Sequence, residues 1–185
     1  MSGWEDLAGY VASLPPEEQA SFSRYAGVDL TGGREAAART LRAYAEENPG
    51  VSPSSFLSSV CSQAAFVRDT ELARRTGEAA LQLAETDEER QLAHVALAQL
   101  HFQNRREEGE LEAFVEHCLE AVRLGHAGTF CYERLATLYE YRGQTEEARE
   151  ISRRAVEVLE AAGDVRSAER FRRRLERLSA RQDRG

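Results

Sequence analysis

The chain has 185 residues, 30% of them charged and 42% hydrophobic, with a formal net charge of −8. That length suffices for one sizeable core, or for a stack of about ten helices, without a second domain. All 24 basic residues are arginine, so a Walker phosphate loop, a Schiff-base amine and a kinase strand lysine are excluded. The absence of lysine has two readings, a genome-wide preference for arginine codons or selection against lysine-directed modification.

The four prolines all precede Ser54, and no alternating β-branched run argues for a sheet, so the pattern is helical throughout. Trp4, Leu7, Val11 and Leu14 make a short amphipathic helix. Pro15-Pro16-Glu17-Glu18 is a start signal for a second, since proline is tolerated in a first turn and acids favour the positive end of the helix dipole. Gly32-Gly33 and Asn48-Pro49-Gly50 bracket a third, alanine-rich helix over Arg34 to Glu47. Residues 1–50 thus form an N-terminal helical region.

From there the chain falls into hairpins. Leu57, Val60, Cys61 and Ala64, then Ala73 and Ala80, mark a first over residues 54–87. A second, 88–128, pairs Leu97, Ala98 and His101 with the run Ala121-Val122-Arg123-Leu124 across a long loop holding Arg105, Arg106, Glu107, Glu108 and Gly109. The third, 129–162, is the clearest. Tyr132, Leu135, Ala136 and Tyr139 fall at i, i+3, i+4 and i+7, which is one apolar stripe of a helix. Gly143 can take the positive φ that ends it. Glu146 and Glu147 open the next helix, on which Ala148 and Ala155 are flat seats that let the backbones approach and Ile151, Val156 and Val158 widen the buried face. After Gly163 and Asp164 a last helix starts near Val165, its apolar residues Ala168, Phe171, Leu175 and Leu178 forming a cap, followed by a short basic tail in 164–185.

The run at Ala121 returns as Ala155-Val156-Glu157-Val158, 34 residues further on. With the stripe and the seats, this spacing resembles the tetratricopeptide repeat. The resemblance implies an all-α solenoid of about three antiparallel hairpins over 51–163, with residues 1–50 a fourth, degenerate repeat or a cap. It also implies a non-enzymatic scaffold or adaptor that holds a peptide or helix in a concave groove lined by the first helix of each hairpin. Carried over by position, the groove residues are Ser58, Ser62 and Ala65, then Val95, Gln99 and Phe102, then Phe130, Glu133, Arg134, Thr137 and Tyr141. Family members that grip acidic chaperone termini use lysines, asparagines and an arginine at such places, and only Arg134 matches. The groove therefore reads as small-residued at one end and aromatic at the other, suited to an apolar peptide or amphipathic helix, unless Phe102 and Phe130 simply pack against neighbouring helices. The helix of residues 4–14 is itself a candidate occupant, from this chain or a second copy.

Other chemistries find little support. Cys61, Cys118 and Cys131 are odd in number and sit at packing positions, as reduced core thiols do. His94, His101, His117, Cys118 and Cys131 lack the close spacing of a zinc site, and pairs such as Glu88-Glu89 and Glu107-Glu108 read as solvated surface. No catalytic residue, cofactor or metal is assigned. From Asp164 onward eight arginines meet four acids, so a basic tail of +4 follows a body of −12. Arginines interleaved with glutamates and without a stacking platform favour an ion-paired face over a nucleic-acid site. No run approaches the about eighteen apolar residues of a membrane span, and Glu5 and Asp6 beside Trp4 do not fit a secretory leader, so a soluble, cytoplasmic protein is expected. Its expected partner is a protein or peptide, with self-association open. A dedicated small chaperone or regulatory subunit is the alternative reading, and an enzyme without a recognisable motif the remote one.

Overall fold

The computed structural model describes residues 2–182, with side chains from 3 to 180. Asp183, Arg184 and the side chain of Arg181, all part of the expected basic tail, lie outside the described residues. Ten helices and no strand occupy that span: α1 (Ser2–Ser13), α2 (Pro16–Ala26), α3 (Arg34–Glu47), α4 (Pro53–Phe66), α5 (Thr70–Leu83), α6 (Asp87–Gln103), α7 (Glu110–Arg123), α8 (Phe130–Tyr141), α9 (Thr145–Ala161) and α10 (Val165–Gln182). The fold is all-α, and sequence-adjacent helices pack together. Among the described residues no helix is long and apolar enough to cross a membrane. The chain divides into two compact units, 1–114 and 115–185, so α7 carries residues of both.

In the first unit the amphipathic face of α1 is core, not a free ligand. Leu7, Ala8 and Val11 are wholly buried, and α1 packs on α3, α2 and α4. An aromatic cluster holds this end together. The Phe56 ring centroid lies 5.1 Å from Tyr44, 5.9 Å from Trp4 and 6.5 Å from Phe22, mostly in the tilted and edge-on arrangements that ring quadrupoles favour. α4 and α6 each begin with a capping box. Ser52 and Ser55 satisfy each other's backbone donors at the first, Thr86 and Glu89 at the second, and the two caps are 34 residues apart.

α4, α5 and α6 pack against one another in pairs, and Gly77 of α5 is what lets them close. A Cβ placed there would lie 2.5 Å from Leu97 Cδ2 and 3.0 Å from Cys61 Sγ, nearer than side chains tolerate. Leu97 and Cys61 fill that room, each essentially inaccessible to solvent.

In the second unit α8 packs on α9 and α9 on α10. The expected stripe is buried at Tyr132, Leu135 and Ala136, and the seats Ala148 and Ala155 are wholly buried opposite. α10 docks through Ala168, Phe171 and Leu178, with Phe171 edge-on to Tyr132 at 6.3 Å. The Tyr132 hydroxyl is buried without a hydrogen-bond partner, and burial pushes its pKa up to about 12.

The turns that close the first and third hairpins have the same geometry, 75 residues apart. Arg68 and Gly143 take φ of 65° and 72°, and the residues after them, Asp69 and Gln144, share φ/ψ of −82°/71° and −83°/71°. Backbone bonds repeat as well: Arg68 to Ala65 and Asp69 to Ala64 in one, Gly143 to Glu140 and Gln144 to Tyr139 in the other, the paired bonds of a Schellman stop. An arginine in the left-handed region costs about 1 kcal/mol relative to glycine. The Tyr25 hydroxyl, donating to Asp69 Oδ2 at 3.0 Å, helps to hold that turn. Between α6 and α7 the longer loop instead turns through Asn104 and Glu107 and reaches Gly109 at φ 79°.

Two substitutions test this packing. Gly77→Ala should lower stability in urea unfolding by about 1–3 kcal/mol through overpacking, although alanine favours a helix interior by about 1 kcal/mol; an unchanged or raised midpoint contradicts the close approach. Tyr132→Phe removes a polar atom whose burial nothing offsets, so stability should hold or rise by about 1 kcal/mol.

Candidate binding cleft

α8 and α10 both pack on α9, and between them lies a cleft of about 320 Å³ lined by Glu133, Arg134, Thr137, Arg170, Phe171, Arg174 and Arg177. Helical period explains the set. Residues 133, 134 and 137 share a face of α8, and 170, 174 and 177 fall at i, i+4 and i+7 on α10. Phe171 is 2% exposed and lies beneath, so the walls are polar and charged.

These charges are partly paired across the cleft. Glu133 meets Arg170 at 2.9 Å. Glu140 lies 2.9 Å from Arg174 Nε and 3.2 Å from Arg177, while the other end of the Arg174 fork donates to Thr137 Oγ1 at 3.0 Å. The Arg174–Glu140 pair is the most sheltered, with side chains 20% and 18% exposed, so solvent screens it less than the pairs on the outer surface. The Arg134 guanidinium sits 6.0 Å from the Phe130 ring centre, within cation–π range. Arg170, Arg174 and Arg177 of α10 thus meet Glu133 and Glu140 of α8 in a row of ion pairs across the concavity.

Of the groove residues expected from the sequence, Glu133, Arg134 and Thr137 come together here. Tyr141 follows on the same face of α8 and is 90% exposed, while Phe130 is half-buried beside Arg134. The others belong to the first unit. Ser58, expected to face a groove, is buried instead, its hydroxyl donating to the Ser54 carbonyl at 2.9 Å. Ser62, Val95 and Gln99 are half-buried. Phe102 packs at 5.1 Å on Phe114 with the Arg105 guanidinium 4.4 Å above its ring. The aromatic character expected at the third hairpin is confined to its margins, because Arg170, Arg174 and Arg177 supply the wall opposite. Their spacing was visible in the sequence, where it read only as the solvated face of a cap.

The first unit also holds a buried ionic cluster that the sequence did not reveal. Glu110 Oε1 accepts from Arg74 at 2.7 Å and Glu110 Oε2 lies 2.7 Å from His101 Nδ1; His101 is 4% and Glu110 8% exposed. Burial alone would push the carboxyl up, but hydrogen bonding and charge from Arg74 and His101 outweigh it and hold Glu110 below its ordinary value. The cluster ties α5, α6 and the start of α7 together. Glu110 has a close polar partner on both oxygens, which suits a structural clasp.

The three cysteines are buried thiols. Burial pushes Cys61 up to about 12, and burial followed by a hydrogen bond with Cys131 pushes Cys118 far above the usual range, so both stay protonated and unreactive at neutral pH. Among the described residues no group of three or more His, Cys, Asp or Glu side chains is arranged to hold a metal ion.

Because the folded pKa of Glu110 is depressed, the cluster stabilises the protein above the ordinary carboxylate value of 4.5, and that contribution is lost as pH falls through the lower folded value. Glu110→Gln should cost about 3 kcal/mol at neutral pH, and less as the solution is acidified, because the carboxylate it lacks is then protonated in the parent too. Urea unfolding of both proteins across the acid range checks this, and a difference that does not shrink with acid contradicts it.

Comparisons with protein-family models, with curated proteins and with solved structures found no match to this chain.

Proposed function

We propose that this chain is a non-enzymatic scaffold of tetratricopeptide-like helical hairpins that holds a protein or peptide partner, with the α8–α10 cleft as a contact site. The cleft is the observation that carries the reading. It is the place where three groove residues expected from the sequence, Glu133, Arg134 and Thr137, line one open concavity. The repeat reading has its own support. The turns at Arg68 and Gly143 share dihedral angles and backbone bonds, the capping boxes at Ser52 and Thr86 are 34 residues apart, and the seats Ala73, Ala80, Ala121, Ala148 and Ala155 are all wholly buried. Phe66 and Tyr141, each the last residue of its helix and two residues before the left-handed stop, are 78% and 90% exposed. Large apolar side chains repeated on the surface at one repeat position suit contact with a partner better than core packing.

A scaffold of this kind acts by shape, so filling the cleft should abolish its function while leaving the fold intact. Thr137→Tyr adds bulk at the cleft without altering charge, at an exposed position. Affinity capture from native extract with parent and variant, followed by quantitative mass spectrometry, should find partners enriched on the parent and lost from the variant at equal helicity and melting temperature. If every enriched protein is retained by the variant, the cleft is not the contact site.

A further inference from the structure

We infer that a second concavity, between α1 and α3 of the first unit, is a binding site for a small organic ammonium ion that carries an apolar or aromatic group. It is separate from the α8–α10 cleft and does not depend on the scaffold reading. The cavity holds about 290 Å³, near the lower end of the about 300–1,000 Å³ usual for ligand sites, and is lined by Trp4, Glu5, Ala38, Arg42, Ala45 and Glu46.

Helical period places the wall. Residues 38, 42, 45 and 46 fall at i, i+4, i+7 and i+8 on one face of α3, and Trp4 and Glu5 meet them from α1, which packs on α3. Part of the Trp4 indole belongs to the core, its ring centroid 6.2 Å from Tyr44 and 5.9 Å from Phe56. The residue is nevertheless only half-buried, because Ala38 and Ala45 are too short to cover the remainder. Here these alanines differ from the seats Ala73, Ala80, Ala148 and Ala155, which are wholly buried under a neighbouring helix, whereas Ala38 and Ala45 are half-buried and border open space.

Charge selects the occupant. Arg42 is held by Glu5 at 2.9 Å, so its guanidinium is already matched. Glu46 has no ionic partner among the described residues and leaves the rim with one carboxylate in excess. Tryptophan has the strongest cation–π face of the aromatic residues, so the indole and the carboxylate attract the same sign. The chain as a whole carries −8, which enriches cations and depletes anions near its surface. An ammonium group beside Glu46, with its hydrocarbon on Trp4, Ala38 and Ala45, satisfies both halves of the lining. A carboxylate or phosphate would face Glu46 and have to displace Glu5 from Arg42, and a bare metal ion would leave the apolar wall unfilled.

Trp4 is the single tryptophan of the chain, so its emission reports on this cavity directly. The full chain is titrated with phenethylammonium, with its neutral counterpart phenethyl alcohol and with phenylacetate. The ammonium should change the emission saturably and raise the melting temperature, the alcohol should bind about fivefold more weakly, and the carboxylate should not bind. Glu46→Gln should weaken the ammonium by about fivefold and leave the alcohol unchanged. Glu108→Gln, an equal loss of charge in the exposed loop between α6 and α7, should leave both unchanged. Ala45→Leu, which fills the cavity with a good helix former, should abolish the response to both at the helicity of the parent. The inference is overturned by the absence of a saturable response to the ammonium, by an equal response to phenylacetate, by equal weakening from Glu46→Gln and Glu108→Gln, or by a response that survives Ala45→Leu. A shift of Trp4 emission on dilution of the protein alone also overturns it, because the occupant is then an arginine of a second copy.

Discussion

Close approach of helices at small residues is the constraint on which the rest of the structure depends. In the first unit it is sharpest at Gly77, where α5 meets Leu97 of α6 and Cys61 of α4 with no space for even one methyl group. In the second unit the seats Ala148 and Ala155 of α9 accept α8, and the same helix carries α10. Packing at such short range fixes crossing geometry, because large side chains such as Tyr132 and Leu97 have one space to enter. The cleft follows from this. Two helices that share a third as their support leave a valley between them, and whatever side chains their outer flanks carry face each other across it.

The two units place charge in opposite ways. Glu110 is withdrawn from water and saturated on both oxygens by Arg74 and His101, so its energy goes into holding three helices in register. The arginines of α10 sit in or near solvent, where an ion pair is worth about 0–1 kcal/mol and can exchange one carboxylate for another at small cost. A buried network is a poor place to bind a ligand and a good place to fix a fold; a half-paired surface row is the reverse. That contrast, more than the number of charges, separates the clasp from the cleft.

Much of the helical architecture was legible because helices declare themselves locally. The alanine-rich segment Arg34 to Glu47 is α3 to the residue, its ends marked by Gly33 and Asn48-Pro49-Gly50. What stayed hidden depends on tertiary neighbours. Gly77 reads in sequence as a flaw in a helix, and only Leu97 and Cys61 reveal its purpose. The stop at Arg68 lacks the glycine that announces its counterpart at Gly143, so the closeness of the first and third turns is invisible until the backbone angles are compared. Glu110 follows a run of charged loop residues and looks solvated, whereas helix packing buries it. The cleft was half legible: the face of α8 followed from the repeat register, but the facing arginines lie on a helix whose apolar stripe absorbed the sequence signal.

The absence of lysine takes on a structural meaning at that helix. Arg174 uses Nε toward Glu140 and a terminal nitrogen toward Thr137, two directions held by one planar group. A lysine ammonium at this site would present a single nitrogen on a flexible stem, strongly hydrated, and could satisfy one of these partners well but not hold the plane between both. Arg177 likewise reaches Glu140 with one nitrogen while the remainder of its fork is left for other acceptors. Whatever drove the composition of the chain, an arginine-only surface supplies rigid, multidentate cations where α8 and α10 face each other.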